Sequence, residues 1–200
     1  MKPLLKTILS RELHDPKVAI YDWLKKYNIK NYTLNDRGEI DVDGDVKLCY
    51  RNITEIPPFI RFGVVKGDFY CYNNNLTSLE GAPKKVGGVF ACHDNELTSL
   101  KGSPREVKGD FTCYYNQLTS LEGAPEVVGG SFYCYSSNLT SPEGAPKEVG
   151  RDFDCNDNDL TTLKGAPKEV GGGFYCSHNK TQFTKDDVRK ICKVGKHIYV

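Results

Sequence analysis

The chain has 200 residues, 27 of them basic and 26 acidic, with 38% hydrophobic and 26% charged content. So even a balance excludes a global field aimed at nucleic acid or an anionic membrane. The apolar content is low for a single large core but suits a repeat protein, whose units each bury one stripe against their neighbours.

Residues Met1 to Arg11 read MKPLLKTILSR. Lys6 and Arg11 break the apolar stretch and no small-residue cleavage site follows, so the segment does not read as a secretory signal. No run approaches the ~18 apolar residues of a membrane span. A cytoplasmic location is expected, with the eight cysteines as thiols. Residues 1–28 predict two short helices. Asp15 as N-cap and Pro16 at the first helical position open the second, which carries Val18, Tyr21, Leu24 and Tyr27 with Trp23. Residues 31–48 alternate like strands around a hairpin turn at Asn35-Asp36-Arg37-Gly38. Cys49, Asn52, Ile53 and Ile56 read as a degenerate first repeat, closed by Pro57-Pro58.

From there one sentence recurs. Cys71, Cys92, Cys113, Cys134, Cys155 and Cys176 follow each other at a step of 21 residues, within F-x-C-x-x-N-x-L-T-S-L-x-G-A-P-x-x-V-G-G. Phe and Cys lie two apart, so on an extended strand they share one face. The Asn three after the cysteine suits a turn off the strand. Gly-Ala-Pro bars a helix, and Gly-Gly permits a tight turn before the next strand. Unit four departs from the pattern, with Ser137 and Pro142 in place of the Asn and the second Leu. After Asn179 the repeat decays. Thr184-Lys185-Asp186-Asp187 starts a short helix through about Cys192 with Val188 and Ile191 inward, and Ile198-Tyr199-Val200 adds a last strand.

The strand half F-x-C-x-x-N-x-L resembles that of a leucine-rich repeat, and the unit is most similar to those of small repeat proteins encoded by bacteriophages and some bacteria. The resemblance covers roughly residues 46–180. It implies an α+β leucine-rich-repeat-like solenoid of 21-residue units, right-handed, with a parallel β-sheet on its concave face. Residues 1–66 would form the N-terminal cap, 67–180 the solenoid and 181–200 the C-terminal cap. Cysteine is among the most buried residue types, so the six sulfurs are expected inside, beside a ladder of Phe. One cysteine per unit lacks the paired spacing of a zinc site, so neither metal nor cofactor is expected.

The residue before each cysteine and the two after it then point outward. Seven of the twelve tyrosines fall on these positions. From three residues before to four after each cysteine stand eight carboxylates against Lys180 alone. The candidate binding residues are Tyr70, Tyr72, His93, Asp94, Tyr114, Tyr115, Tyr133, Tyr135, Asp154, Asp157 and Tyr175. Tyrosine is favoured in binding hot spots, and surrounding acids would steer a basic partner. No catalytic constellation stands out: the four histidines are scattered, and Asp41-Val42-Asp43-Gly44-Asp45 lacks the spacing of a calcium loop. The expectation is a non-enzymatic protein-binding module. By resemblance its partner would be a host protein, such as a defence factor that a phage inhibits. Self-association as a structural protein, or capture of a small ligand or carbohydrate, are the alternatives.

Overall fold

The structure is a computed structural model, which describes residues 16–200. Asp15 and the first expected helix lie outside these residues. Helix α1 (Pro16–Lys26) leads into β1 (Tyr32–Leu34) and β2 (Ile40–Val42), an antiparallel hairpin turning at Asn35. The core side of α1 is Ile20, Trp23 and Leu24, continued by Tyr27, the spacing of a 3.6-residue period. Val18 and Tyr21 fall off that stripe and are exposed. Trp23 meets Phe62 edge-on at 6.2 Å, closing the end of the stack.

From β3 (Val46–Lys47) and β4 (Phe62–Val65) the chain coils into turns with two short strands each. The Phe strands are β5 (Phe69–Tyr70), β7 (Phe90–Ala91), β9 (Phe111–Thr112), β11 (Phe132–Tyr133), β13 (Phe153–Asp154) and β15 (Phe174–Tyr175). The Val strands are β6 (Lys85–Val86), β8 (Glu106–Val107), β10 (Val127–Val128), β12 (Glu148–Val149) and β14 (Glu169–Val170). Helix α2 (Lys185–Ile191) follows, then β16 (Lys193–Val194) and β17 (Ile198–Tyr199). The Phe strands, with β3 and β17, build an eight-stranded parallel sheet. The Val strands join β1, β2, β4 and β16 in a nine-stranded sheet, parallel except at the β1–β2 hairpin. The expected parallel-sheet solenoid is therefore present, and a second sheet accompanies the first.

Between the two sheets lies one continuous core. Phe69, Phe90, Phe111 and Phe132 stack successively with centroids 5.1–5.4 Å apart and rings within 12° of parallel. The sulfurs of Cys71, Cys92, Cys113, Cys134 and Cys155 sit beside them with no solvent exposure. Burial pushes all five thiols well above the ordinary range. Leu76, Leu97, Leu118, Leu139 and Leu160 and the Val column fill the remainder. At the corner of each unit a glycine adopts positive φ. At Gly123 (φ +90°) a Cβ would come within 2.6 Å of the backbone of Leu100 in the preceding turn, so only glycine lets the turns approach this closely.

Asn74, Asn95, Asn116, Asn158 and Asn179 do more than turn the chain locally. Asn95 Nδ2 donates to Cys92 O of its own turn at 3.0 Å and to Cys71 O of the preceding turn at 3.1 Å. Its Oδ1 accepts from Leu76 N at 2.9 Å. Each amide thus rivets two turns together. Unit four breaks the series, and the buried Ser137 hydroxyl has no partner among the described residues. A serine is too short to reach the carbonyls an asparagine spans. Pairing nevertheless runs in register through β11, and Pro142 keeps the corner, accepting from Ala145 N as Leu121 does from Ala124 N. Restoring the rivet with Ser137→Asn is expected to stabilise the fold by about 1–2 kcal/mol, read as a higher urea midpoint at unchanged slope.

The first turn differs from the expectation. Val46 pairs with Phe69 and Lys47 with Tyr70, an offset of 23. Leu48, fully buried, therefore fills the sulfur position, while Cys49 stands one place further along, facing outward and half-buried. A one-residue slip on a strand exchanges its faces. The amide position likewise falls to Arg51, whose backbone N–H donates to Asn74 Oδ1 at 2.9 Å, and not to Asn52. At the other end, Thr184 caps α2 in a reciprocal capping box with Asp187, and Val188 is buried.

Candidate functional site

On the outer side of the eight-stranded sheet, the residues around each cysteine fall into three columns with different geometry. The first, directly before the cysteine, runs Lys47, Tyr70, Ala91, Thr112, Tyr133, Asp154, Tyr175 and Tyr199 in register. Ala91 is buried, so the column is recessed at that turn. Tyr70 Oη donates to Asp68 Oδ2 at 2.6 Å, which raises its pKa to about 12. Tyr175 stacks on Tyr199 at 4.9 Å and 7°, away from the other tyrosines.

Directly after the cysteine the second column forms a stack. Tyr72 to His93 is 4.5 Å at 14°, His93 to Tyr114 is 4.3 Å at 10°, and Tyr114 to Tyr135 is 4.4 Å at 8°. Four rings therefore lie nearly parallel at the sheet's own strand spacing. Burial among these neighbours pushes the Tyr114 and Tyr135 hydroxyls upward. A hydrogen bond with Cys49 does so for Tyr72. His93 Nδ1 lies 2.8 Å from Asp94 Oδ2, which holds the imidazole in the stack.

The third column, two after the cysteine, stands on the turn that leaves the strand. Asn73, Asp94, Tyr115, Ser136, Asp157 and His178 all adopt left-handed backbone with φ of 49–53°. Asn and Asp tolerate this conformation, whereas a tyrosine pays about 1–2 kcal/mol for it. Tyr115 is 53% exposed, with its ring edge-on to Tyr114 at 5.5 Å and to Tyr135 at 5.8 Å. Tyr50, absent from the sequence-based set, occupies the same column in the first turn, is 68% exposed, and meets Tyr72 edge-on at 5.4 Å. The sequence assigns this turn to the N-terminal cap as a degenerate repeat, outside the six units that supply the set.

The carboxylates divide into two kinds. Asp68, Asp110 and Asp152 each accept the backbone N–H of the next turn, from Val89, Ser131 and Gly173, all at 2.7 Å. These are pegs of the fold as much as a charged display. Asp41 and Asp45 serve alike, accepting from Val64 N and Asp68 N. Asp157 lies 3.5 Å from His178, and Asp159 lies 3.2 Å from Lys180. Among the described residues Asp154 accepts only from Asn156 N, at 3.0 Å, and burial lifts its carboxyl to about 6.

Among the described residues, no group of three or more His, Cys, Asp or Glu is placed to hold a metal ion. No helix there is long and apolar enough to cross a membrane. A cleft of about 860 Å³ lies off this face beside the longer first turn, among Ile56, Pro57, Ile60 and Phe62.

Two sheets of stacked short strands, a single interior between them and one solvated aromatic column define the class: a parallel β-solenoid repeat protein. No protein-family model, curated protein or solved structure matches the chain, so this assignment rests on geometry alone.

Proposed function

We propose that the chain is a non-enzymatic binding module that docks another protein on the outer face of its eight-stranded sheet. The observation that carries this reading is the Tyr72–His93–Tyr114–Tyr135 stack, with Tyr115 held exposed against it. Rings clamped between neighbours lose little freedom on binding, so their contact area contributes to affinity at small entropic cost. A tyrosine kept in left-handed backbone, where asparagine would fit better, is a strained residue of the kind that clusters at functional positions. The carboxylates nearby favour a partner with a basic surface. Resemblance of the units to those of small phage-encoded proteins supports a host protein, such as a defence factor, as that partner. The resemblance also supports a cytoplasmic setting, in which the ladder thiols stay reduced.

Affinity purification from the native cell, followed by mass spectrometry, tests the reading. Tyr114→Ala with Tyr135→Ala is expected to lose the protein that the unaltered chain recovers. Tyr115→Asn separates function from packing. It relieves the strained backbone and is expected to stabilise the fold by up to ~1 kcal/mol while weakening recovery of the partner. Unchanged recovery with the double variant rejects the docking face.

A further inference from the structure

The aromatic stack stops at Tyr135, and what lies beyond it differs from the rest of the face. One side of the Tyr135 ring is covered by Tyr114 at 4.4 Å. The next residue in the column is Asn156, which has no ring, and its amide oxygen is drawn away to the far side by Ser177 N at 2.6 Å. In the neighbouring column Asp154 sits between Tyr133 and Tyr175, aligned with both by the strand register. Only Asn156 N donates to it, and no lysine or arginine pairs with it among the described residues. A half-buried carboxylate without a counter-charge thus adjoins the last ring of the stack, beyond which the column continues without an aromatic residue. Every other acid in this turn is engaged, Asp152 by Gly173 N, Asp157 by His178 and Asp159 by Lys180.

We propose that this end of the face seats an arginine side chain of a protein partner, its guanidinium stacking on Tyr135 and pairing with Asp154. The inference rests on the docking reading above and specifies the chemistry of the partner. Arginine fits better than lysine because its group is flat, stacks on aromatic faces and offers a fork of donors to a carboxylate. An ammonium is a compact, strongly hydrated charge that gains less from a ring edge or face already backed by another ring. The raised Asp154 pKa has the same origin, since a cation beside the carboxylate would offset the burial that now disfavours its charge.

The test is a nuclear magnetic resonance titration of the full chain with a capped five-residue peptide bearing one central arginine, alongside its lysine and citrulline counterparts. The arginine peptide is expected to shift the amide signals of Tyr135, Asn156 and Ser177. The lysine peptide should bind several-fold more weakly and the uncharged citrulline peptide not at all. Added salt should weaken the response. Asp154→Asn keeps the acceptor for Asn156 N and is expected to reduce the arginine response about tenfold, with the remaining spectrum unchanged. Equal shifts from citrulline, a response that survives in Asp154→Asn, shifts centred elsewhere, or none at all would each overturn the arginine seat. If the titration fails while Tyr114→Ala with Tyr135→Ala still loses the native partner, the arginine seat falls and the docking face stands. If that double variant retains the partner, the docking face falls whatever the peptide does.

Discussion

Asn116→Ala is expected to destabilise the solenoid by about 4 kcal/mol, more than an average core truncation to alanine of similar size. The asparagine is buried and holds four backbone groups at once. Its Nδ2 donates to Cys92 O at 3.1 Å, to Cys113 O at 3.0 Å and, more weakly, to Tyr114 O at 3.3 Å. Its Oδ1 accepts from Leu97 N at 3.0 Å. Alanine leaves those groups in an interior that water does not reach, and each buried orphan costs about 1–3 kcal/mol. Urea denaturation checks the number. Asn116→Asp is the sharper companion, because it retains the acceptor for Leu97 N but replaces the donors with a carboxylate facing two carbonyls. It should be at least as harmful. A loss below ~1 kcal/mol for both would mean that the turns are held together by their apolar ladders, with the amide merely accommodated.

The same residue shows how far the sequence could be read. A constant 21-residue step, with Phe and Cys two apart, is enough on its own to place those side chains inside and their neighbours outside. The asparagine was legible only as a turn former, because the partners that tie it to the preceding turn are 19 and 24 residues away and become neighbours only after coiling. The second sheet was hidden for a different reason. Its repeat strands, such as Glu148–Val149, bury a single valine with no second apolar residue two places away, so they lack the paired spacing by which Phe and Cys mark the first sheet. In the first turn the cysteine letter itself misled. Leu48 has the right size and burial for the sulfur position, and Cys49 is displaced outward beside it. Assigned to the N-terminal cap as a degenerate repeat, this turn contributed no residue to the candidate set, and Tyr50 was left out with it.

The face was legible as a composition but not as a geometry. Seven tyrosines around the cysteines were visible in the sequence. Which of them touch depends on the columns being treated separately. Only the position directly after the cysteine brings aromatic residues together in four consecutive turns, Tyr72, His93, Tyr114 and Tyr135. Tyr133 and Tyr175, one column over, are separated by Asp154. The left-handed turn also had a signal, in the Asn73, Asp94 and Asp157 that favour such backbone. Tyr115 masks that signal because it breaks the preference, and breaking a local preference is what marks it as a residue kept for another purpose.

Mild alkali should unfold the reduced protein at a pH where most domains are unaffected. Cys71, Cys92, Cys113, Cys134 and Cys155 are fully buried, and burial raises their thiol pKa values well above the ordinary range. In the unfolded chain the same thiols ionise near the usual value of about 8.5. Below that pH neither state loses a proton and the ladder carries no pH dependence. Above it the unfolded state binds fewer protons than the folded one, so stability falls as pH rises and continues to fall until the folded thiols themselves ionise. Each thiol contributes about 1.4 kcal/mol per pH unit, and five together approach ~7 kcal/mol per unit. Against a typical domain stability of about 5–15 kcal/mol, the transition should occur within roughly one to two units above pH 8.5. The raised tyrosine hydroxyls act in the same direction at still higher pH. Chemical denaturation at a series of pH values under reducing conditions measures the slope. Cys113→Ala identifies its source: the variant is less stable at pH 7 because of the cavity, yet its slope should be shallower by one thiol's share. A slope unchanged by that substitution, or a stability flat to pH 10.5, would show that the sulfurs are not interior, and the assignment of the opposite residues to the outer face would fail with them.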